Sequence, residues 1–243
     1  MKLDGLKVLW GKAFGDSTEM IELFFEAAYA PEQCRYLEEN GQITAALYWM
    51  DAEAYGQKLA YIYGVATDPD HRGKGLCRKL MGMTHADLAA QGYGGAILMP
   101  AKPGLRKMYA SMGYQECSTI GSFDCQAGDT VAVRSIDREE YASLRREYLP
   151  EGGVIQEGES LAYLQTYAQL YAGEDFLLAA VHEADGLFGV ELLGNKAAAP
   201  GILKAMGYEQ GTFRTPDGKI PFAMYLPLTE HAKMPTYLGL AFD

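Results

Sequence analysis

Val65-Ala66-Thr67-Asp68-Pro69-Asp70-His71-Arg72-Gly73-Lys74-Gly75-Leu76-Cys77-Arg78 decides how this chain is read. The β-rich run Leu59–Thr67 precedes it, and Asp68-Pro69-Asp70 ends that strand. Beyond the glycines, Cys77, Leu80, Met81, Thr84 and Leu88 recur at i, i+3, i+4, i+7 and i+11, the stripe of an amphipathic helix. The order is therefore strand, glycine turn, helix. Glycines let a backbone approach a ligand closely, the first N–H groups of a helix lack internal partners, and the helix dipole favours an anion there. Pyrophosphate is the natural guest, and Arg72, Lys74 and Arg78 add charge-assisted donors. A glycine-capped loop with no ligand is the structural alternative.

Working outward, the spacing predicts a strand at Leu6–Trp10, then a helix Thr18–Tyr29 capped by Asp16-Ser17. Gln42–Trp49 and Lys58–Ala66 read as antiparallel neighbours joined across Asp51–Gln57. After the glycine turn and its helix, closed at Gly92, come a short buried strand Ala96–Met99 and a helix Gly104–Met112 closed by Gly113. This βαβα order implies a parallel strand pair with a right-handed crossover. The pattern restarts after Ala127-Gly128-Asp129, which predicts two units, 1–128 and 129–243. The second reads as a strand Val131–Ile136, helices Glu139–Tyr148 and Ser160–Tyr171, and a hairpin Phe176–Val181 with Leu187–Leu193 across Asp185-Gly186. A helix Pro200–Met206 closed by Gly207 follows. Leu105–Met112 before Gly113-Tyr114 is echoed by Ile202–Met206 before Gly207-Tyr208, a weak internal repeat. Between Leu193 and Pro200 the repeat leaves no room for the glycine turn and a crossover helix.

The composition fits this picture. The chain has 243 residues, 49% of them apolar, and a net charge of −11. That is enough chain for a buried core and excludes disorder as the main state. Four cysteines and four histidines fall in no ligand spacing, so neither a zinc site nor a disulfide framework is expected. The opening Met-Lys-Leu-Asp-Gly is not a signal peptide, and no apolar run reaches the ~18 residues of a membrane span, so a cytoplasmic protein with no membrane partner is expected. Net acidity disfavours a nucleic-acid partner and suits a cationic one, although it also serves solubility alone.

Three phosphate-binding patterns compete for the glycine turn. A Walker loop needs Ser or Thr after Gly-Lys, where Gly75 follows Lys74; a dinucleotide fingerprint needs glycine where Arg78 stands. The pattern Arg/Gln-x-x-Gly-x-Gly/Ala is met by Arg72 and Gly75, with Cys77 at the last small position. Over Leu59–Tyr114 the chain thus resembles the GCN5-related N-acetyltransferases (GNAT). The resemblance implies an α/β (α+β) GNAT fold, a mixed central sheet flanked by helices, with 1–128 as the catalytic unit. The unit 129–243 would be a second, smaller, degenerate GNAT-like half without the cofactor motif. It also implies acetyl-CoA as cosubstrate, no metal, and an amine acceptor. Val65, Ala66 and Thr67 would bind the pantetheine arm through the main chain, with an N–H near Val65 aimed at the thioester oxygen. Gly73, Lys74, Gly75, Leu76, Cys77 and Arg78, led by Arg72, would cradle the pyrophosphate. Leu105–Tyr114 resembles the family's second motif, in which Tyr109 is the general acid. A thiolate of pKa about 8.5 can take a proton from a phenol of about 10 once the two are held together. A tyrosine ring packed at a helix–sheet interface is the alternative. Lys102 stands where the family often has Asn.

The base is less legible, because Ala60–Val65 contains no acid, and Asp51 and Glu53 read as solvated turn residues. Tyr237–Asp243 is too apolar for a frayed tail. A looser resemblance to proteins of the enhanced intracellular survival type makes the C-terminal carboxylate, at Asp243, the expected base. Trp10, Trp49, Met81 and Met83 read as core, His71 as a loop histidine, and Cys77 as a thiol that the helix N-terminus could activate. Two function classes stand: an N-acetyltransferase working by direct attack through a tetrahedral intermediate, and a non-catalytic acyl-CoA-binding module. Tyr109 favours the first; the acid-free strand and Lys102 favour the second.

Overall fold

The computed structural model describes residues 2–242, so Asp243 lies outside the described residues. The chain opens with α1 (Lys2–Phe14) and α2 (Thr18–Ala27), followed by β1 (Cys34–Glu39), β2 (Gln42–Ala54) and β3 (Gln57–Thr67). Next come α3 (Leu76–Ala90), β4 (Gly95–Leu98), α4 (Pro103–Ala110), β5 (Gln115–Glu116) and β6 (Thr119–Gln126). The rest holds β7 (Arg134–Ser135), α5 (Arg138–Tyr148), β8 (Ile155–Gln156), α6 (Glu159–Leu164), β9 (Gln169–Ala172) and β10 (Phe176–Glu183). It ends with β11 (Gly186–Gly194), α7 (Ala199–Met206), β12 (Gln210–Pro221) and β13 (Met224–Pro227). Among the described residues no helix is long and apolar enough to cross a membrane.

Two mixed sheets organise these elements, in the orders β1-β2-β3-β4-β13-β5, with β8 also paired to β2, and β6-β12-β11-β10-β9-β7. β2 and β3 are antiparallel and β3 and β4 parallel, as the sequence predicts, with α3 as the crossover. The sheets do not divide the chain at residue 128. β6, before that point, pairs with β12 in the second sheet, and β13, far after it, pairs with both β4 and β5 in the first.

Period-2 burial on β2 shows how the layers pack. Ala46, Tyr48, Met50, Ala52 and Ala54 face a central core, whereas Ala45, Leu47 and Trp49 face α3 and α4 on the other side. The central core continues through Leu177, Ala179, Val190 and Leu193 of the second sheet, whose outer face packs Leu178, Ala180 and Leu192 against α7. One apolar layer is thus shared by both sheets.

The structure corrects four sequence expectations. Leu6–Trp10 is helix rather than strand: Leu6, Leu9 and Trp10 are buried at i, i+3, i+4 while Val8 is 60% exposed, a helical period hidden in a short apolar run. The helix expected to reach Tyr171 stops at Leu164, because Gln169–Ala172 pairs as a strand with β10. Val131–Ile136 forms only the two-residue β7, with Val131 and Val133 packed beside α7 instead. A crossover does fit after Leu193: β11 and β12 are parallel, linked through the 3-10 turn Lys196–Ala198 and α7. α7 therefore occupies the place of α3, not of α4 as the Gly-Tyr echo suggested.

A buried ion pair ties α5 to β11 and to the terminal segment. Glu191 on β11 accepts from Arg145 Nε at 2.6 Å and from a second Arg145 nitrogen at 2.9 Å, and from the hydroxyls of Tyr141 at 3.1 Å and Tyr237 at 3.0 Å. Arg145 also donates to the Val154 carbonyl at 3.0 Å. Tyr237 begins the buried terminal segment, where Val154 N–H donates to the Tyr237 carbonyl at 2.8 Å and Gln156 to the Leu240 carbonyl at 2.6 Å. Glu191→Gln leaves the buried guanidinium uncompensated and is expected to cost about 3–5 kcal/mol, measured by urea unfolding.

On α3, burial holds the His85 imidazole down at about 4, with Nε2 at 2.9 Å from the Tyr114 hydroxyl. The unfolded chain then binds a proton between pH 6.5 and about 4 that the folded chain refuses. Stability is full above pH 6.5 and falls as the pH drops through this window. Wild type is expected to lose about 1–2 kcal/mol more than His85→Gln between pH 7.5 and pH 5 in paired denaturation curves.

Candidate functional site

The site begins where two parallel strands part. β3 and β4 pair only at Leu59↔Gly95, Ala60↔Ala96 and Tyr61↔Ile97. Beyond that, the β2–β3 register slips between Ala46↔Ala66 and Tyr48↔Tyr63, so Gly64 and Val65 form a β-bulge. Gly64 has φ +57°, and a Cβ there would lie 2.9 Å from Trp10 Cζ3 and 2.9 Å from Tyr48 Cδ2. Both conformation and space demand glycine. The bulge turns β3 away from β4 and leaves the β4-facing edge of Val65, Ala66 and Thr67 without a strand partner.

The glycine loop closes this gap where β3 ends. Gly73 and Gly75 adopt φ +77° and +75°, and open space surrounds the position a Cβ would take on either. Their glycine character is thus conformational and keeps one face of the loop clear. Gly75 is the left-handed N-cap of α3, and the first intrahelical bond runs from Lys79 N–H to the Gly75 carbonyl at 3.0 Å. Among the described residues, no protein acceptor takes the N–H groups of Gly73 through Arg78. The loop is held from below by the buried Asp68. Its carboxylate accepts from Asp70 N–H at 3.0 Å, Gln42 Nε2 at 2.8 Å and Lys12 Nζ at 3.1 Å. Burial works against its charge, but the Asp70 N–H, Lys12 and His71 keep its pKa below the usual carboxylate range.

The side chains of the loop are less uniform than their charges suggest. Lys74 is exposed, and Arg72 Nε donates to the Thr67 carbonyl at 3.3 Å. Arg78 turns toward the C-terminal end of α4, donating to the Ser111 carbonyl at 2.9 Å and its hydroxyl at 2.6 Å. Burial pushes the Cys77 thiol up despite the adjacent Arg78, the reverse of an activated cysteine. Lys102 is the N-cap residue of α4 and makes no side-chain cap.

At the other end of the gap, Tyr109 and Val65 line one cavity of about 500 Å³. The Tyr109 ring is buried edge-to-face against Tyr114 at 5.8 Å, and among the described residues its hydroxyl has no protein partner. Burial, with Cys77 beside it, pushes its pKa up, so the phenol stays protonated. Trp10, Phe14, Tyr61, Tyr63, Tyr163 and Phe242 form the aromatic wall. Trp10 lies across Gly64 and donates from Nε1 to Asp16 at 2.7 Å. Phe242 sets its edge against Tyr61, Tyr63 and Tyr163 at 5.3–5.8 Å, and the Tyr63 and Tyr163 hydroxyls meet at 3.3 Å. Asp16, Tyr163 and Phe242 were not legible as site residues, because a helix cap, a helix tyrosine and an apolar tail carry no such signal. Among the described residues no group of acidic, His or Cys side chains could hold a metal.

Gly75→Ala is expected to cost only about 1 kcal/mol of stability through its positive φ. Its methyl would stand among the free N–H groups, so coenzyme A affinity should drop at least about tenfold in titration calorimetry.

The family described as acetyltransferase (GNAT) domain matches residues 2–117. No curated protein matches the chain in sequence. A GCN5-related N-acetyltransferase from Kribbella flavida superposes with a TM-score of 0.69 at 17% identity, covering 92% of this chain and 68% of that one. Another from Anabaena variabilis gives 0.73 at 13% identity over 94% and 71% of the two chains. Eis1 from Mycobacterium abscessus gives 0.69 at 10% identity over 93% and 71%. Bulge, parted strands and glycine loop agree with the match over residues 2–117, and the chain has the fold of the GCN5-related N-acetyltransferases.

Proposed function

We propose that the chain transfers an acetyl group from acetyl-CoA to a primary amine of a small molecule or peptide. The observation that carries this reading is one continuous gap, with free N–H groups from Gly73 to Arg78 at one end and the Tyr109 cavity at the other. In this reading the loop N–H groups and Arg72 bind the pyrophosphate, while the unpaired edge of Val65, Ala66 and Thr67 binds the pantetheine arm as an added strand. The amine nitrogen attacks the thioester carbonyl, and a bulge N–H near Val65 stabilises the oxyanion of the tetrahedral intermediate. The C–N bond forms, the C–S bond breaks, and Tyr109 gives its proton to the departing thiolate. The phenol and the thiolate share one apolar gap, so desolvation raises both pKa values and keeps the proton transfer near balance. The amine must shed a proton to a base. Asp243, next in the chain to the cavity-lining Phe242, is the proposed one. The unit 129–243 is proposed as a degenerate GNAT-like half that lacks the glycine turn and walls the acceptor side through Tyr163.

Thiol release from acetyl-CoA across a panel of amines tests the reading. Tyr109→Phe is expected to lower kcat about 100-fold with the acetyl-CoA KM nearly unchanged, and deletion of Leu240–Asp243, which removes the terminal carboxylate from its place, to abolish the acid limb of the pH–rate profile in a folded variant. Coenzyme A binding without turnover of any amine would instead support the non-catalytic module. The acid-free β3 is the observation that favours this second reading.

A further inference from the structure

The net charge of −11 invites a polycationic acceptor, yet little of it reaches the cavity. Among the described lining residues Asp16 is the one acid, and no base is present. Apart from Thr166 the rest of the wall is aromatic or apolar, and the mouth continues this character with Phe14, Met20, Leu23 and Tyr167, each 38–56% exposed. A second or third ammonium drawn into such a wall would lose water and find no counter-charge beyond Asp16 among the described lining residues, at a cost of several kcal/mol. A single ammonium would meet Asp16 and the aromatic faces around it, while an apolar body would be welcome everywhere else.

The carboxylate is also placed with respect to the bulge. Trp10 spans the distance, its Nε1 bonded to Asp16 Oδ2 at 2.7 Å while Cζ3 and Cη2 of the same ring abut Gly64. One rigid indole thus fixes Asp16 relative to the point where β3 turns from β4. The charge of Asp16 is also felt at Tyr163, across the wall.

We infer that the acceptor is a primary amine bearing one positive charge on an apolar body, of the arylalkyl or alkyl class, and that Asp16 is the residue that selects it. This rests on the amine-transfer reading above. An extended acyl chain on the donor would fit the same apolar wall but would leave Asp16 without a cationic partner.

Thiol-release kinetics with 2-phenylethylamine, hexylamine, spermidine and tobramycin test the inference. The monoamines are expected to exceed the polycations in kcat/KM by at least about tenfold. Asp16→Asn keeps an oxygen for the Trp10 N–H and removes only the charge. It should raise the 2-phenylethylamine KM about tenfold and leave the acetyl-CoA KM alone. Thr166→Asp adds a second carboxylate to the same wall, independently of Asp16, and should shift selectivity toward spermidine. Polycations turned over as well as monoamines, or an amine KM indifferent to Asp16→Asn in a folded variant, would overturn the inference while leaving amine transfer intact. So would a preference for hexanoyl-CoA over acetyl-CoA without discrimination among amines. Coenzyme A binding with no amine turned over would overturn both the inference and the reading beneath it.

Discussion

The parting of β3 from β4 is the constraint on which the rest of the site depends. Parallel pairing ends at Tyr61↔Ile97 because Gly64 and Val65 insert an extra residue, and Gly64 can do so only with a positive φ and no side chain. Everything of chemical interest lies in or around the gap this opens. The unpaired edge of β3 offers main-chain hydrogen bonds, the loop after Thr67 adds a row of free N–H groups, and Tyr109 faces the space between. Had the strands continued in register, those donors would have been spent inside the sheet.

The cavity beyond the bulge is a composite. α1 and the turn before α2 bring Trp10, Phe14 and Asp16, β3 brings Tyr61 and Tyr63, and the second half brings Tyr163, Tyr167 and Phe242. These meet because the two sheets share one apolar layer and because strands are exchanged between them. The Arg145–Glu191 cluster pins the segment that carries Phe242, joining α5, β11 and Tyr237 around one carboxylate. A buried ion pair adds modest net stability but is costly to break, so it fixes where that segment can lie.

Local chemistry made the glycine loop legible. Strand, Pro-containing stop, two glycines and a helical stripe each act within a few residues, and all agree. The same holds for the β2–β3 hairpin and the hairpin of the second sheet. Misreadings fell where tertiary packing arbitrated. Leu6–Trp10 contains too few residues to show a helical period until Val8 is seen facing water. Gln169–Ala172 is a strand because β10 and β7 lie on either side of it. Burial likewise reverses the expectation for Cys77.

By itself the sequence determined the glycine turn, the crossover helix after it and the parallel strand pair, since positive φ, helix capping and apolar periodicity are local properties. Only the tertiary structure decided the bulge at Gly64, the exchange of β6 and β13 between sheets, and the aromatic wall around Asp16. Those features arise from contacts between segments far apart in the chain, and the packing that joins them leaves no periodic trace in any one of them.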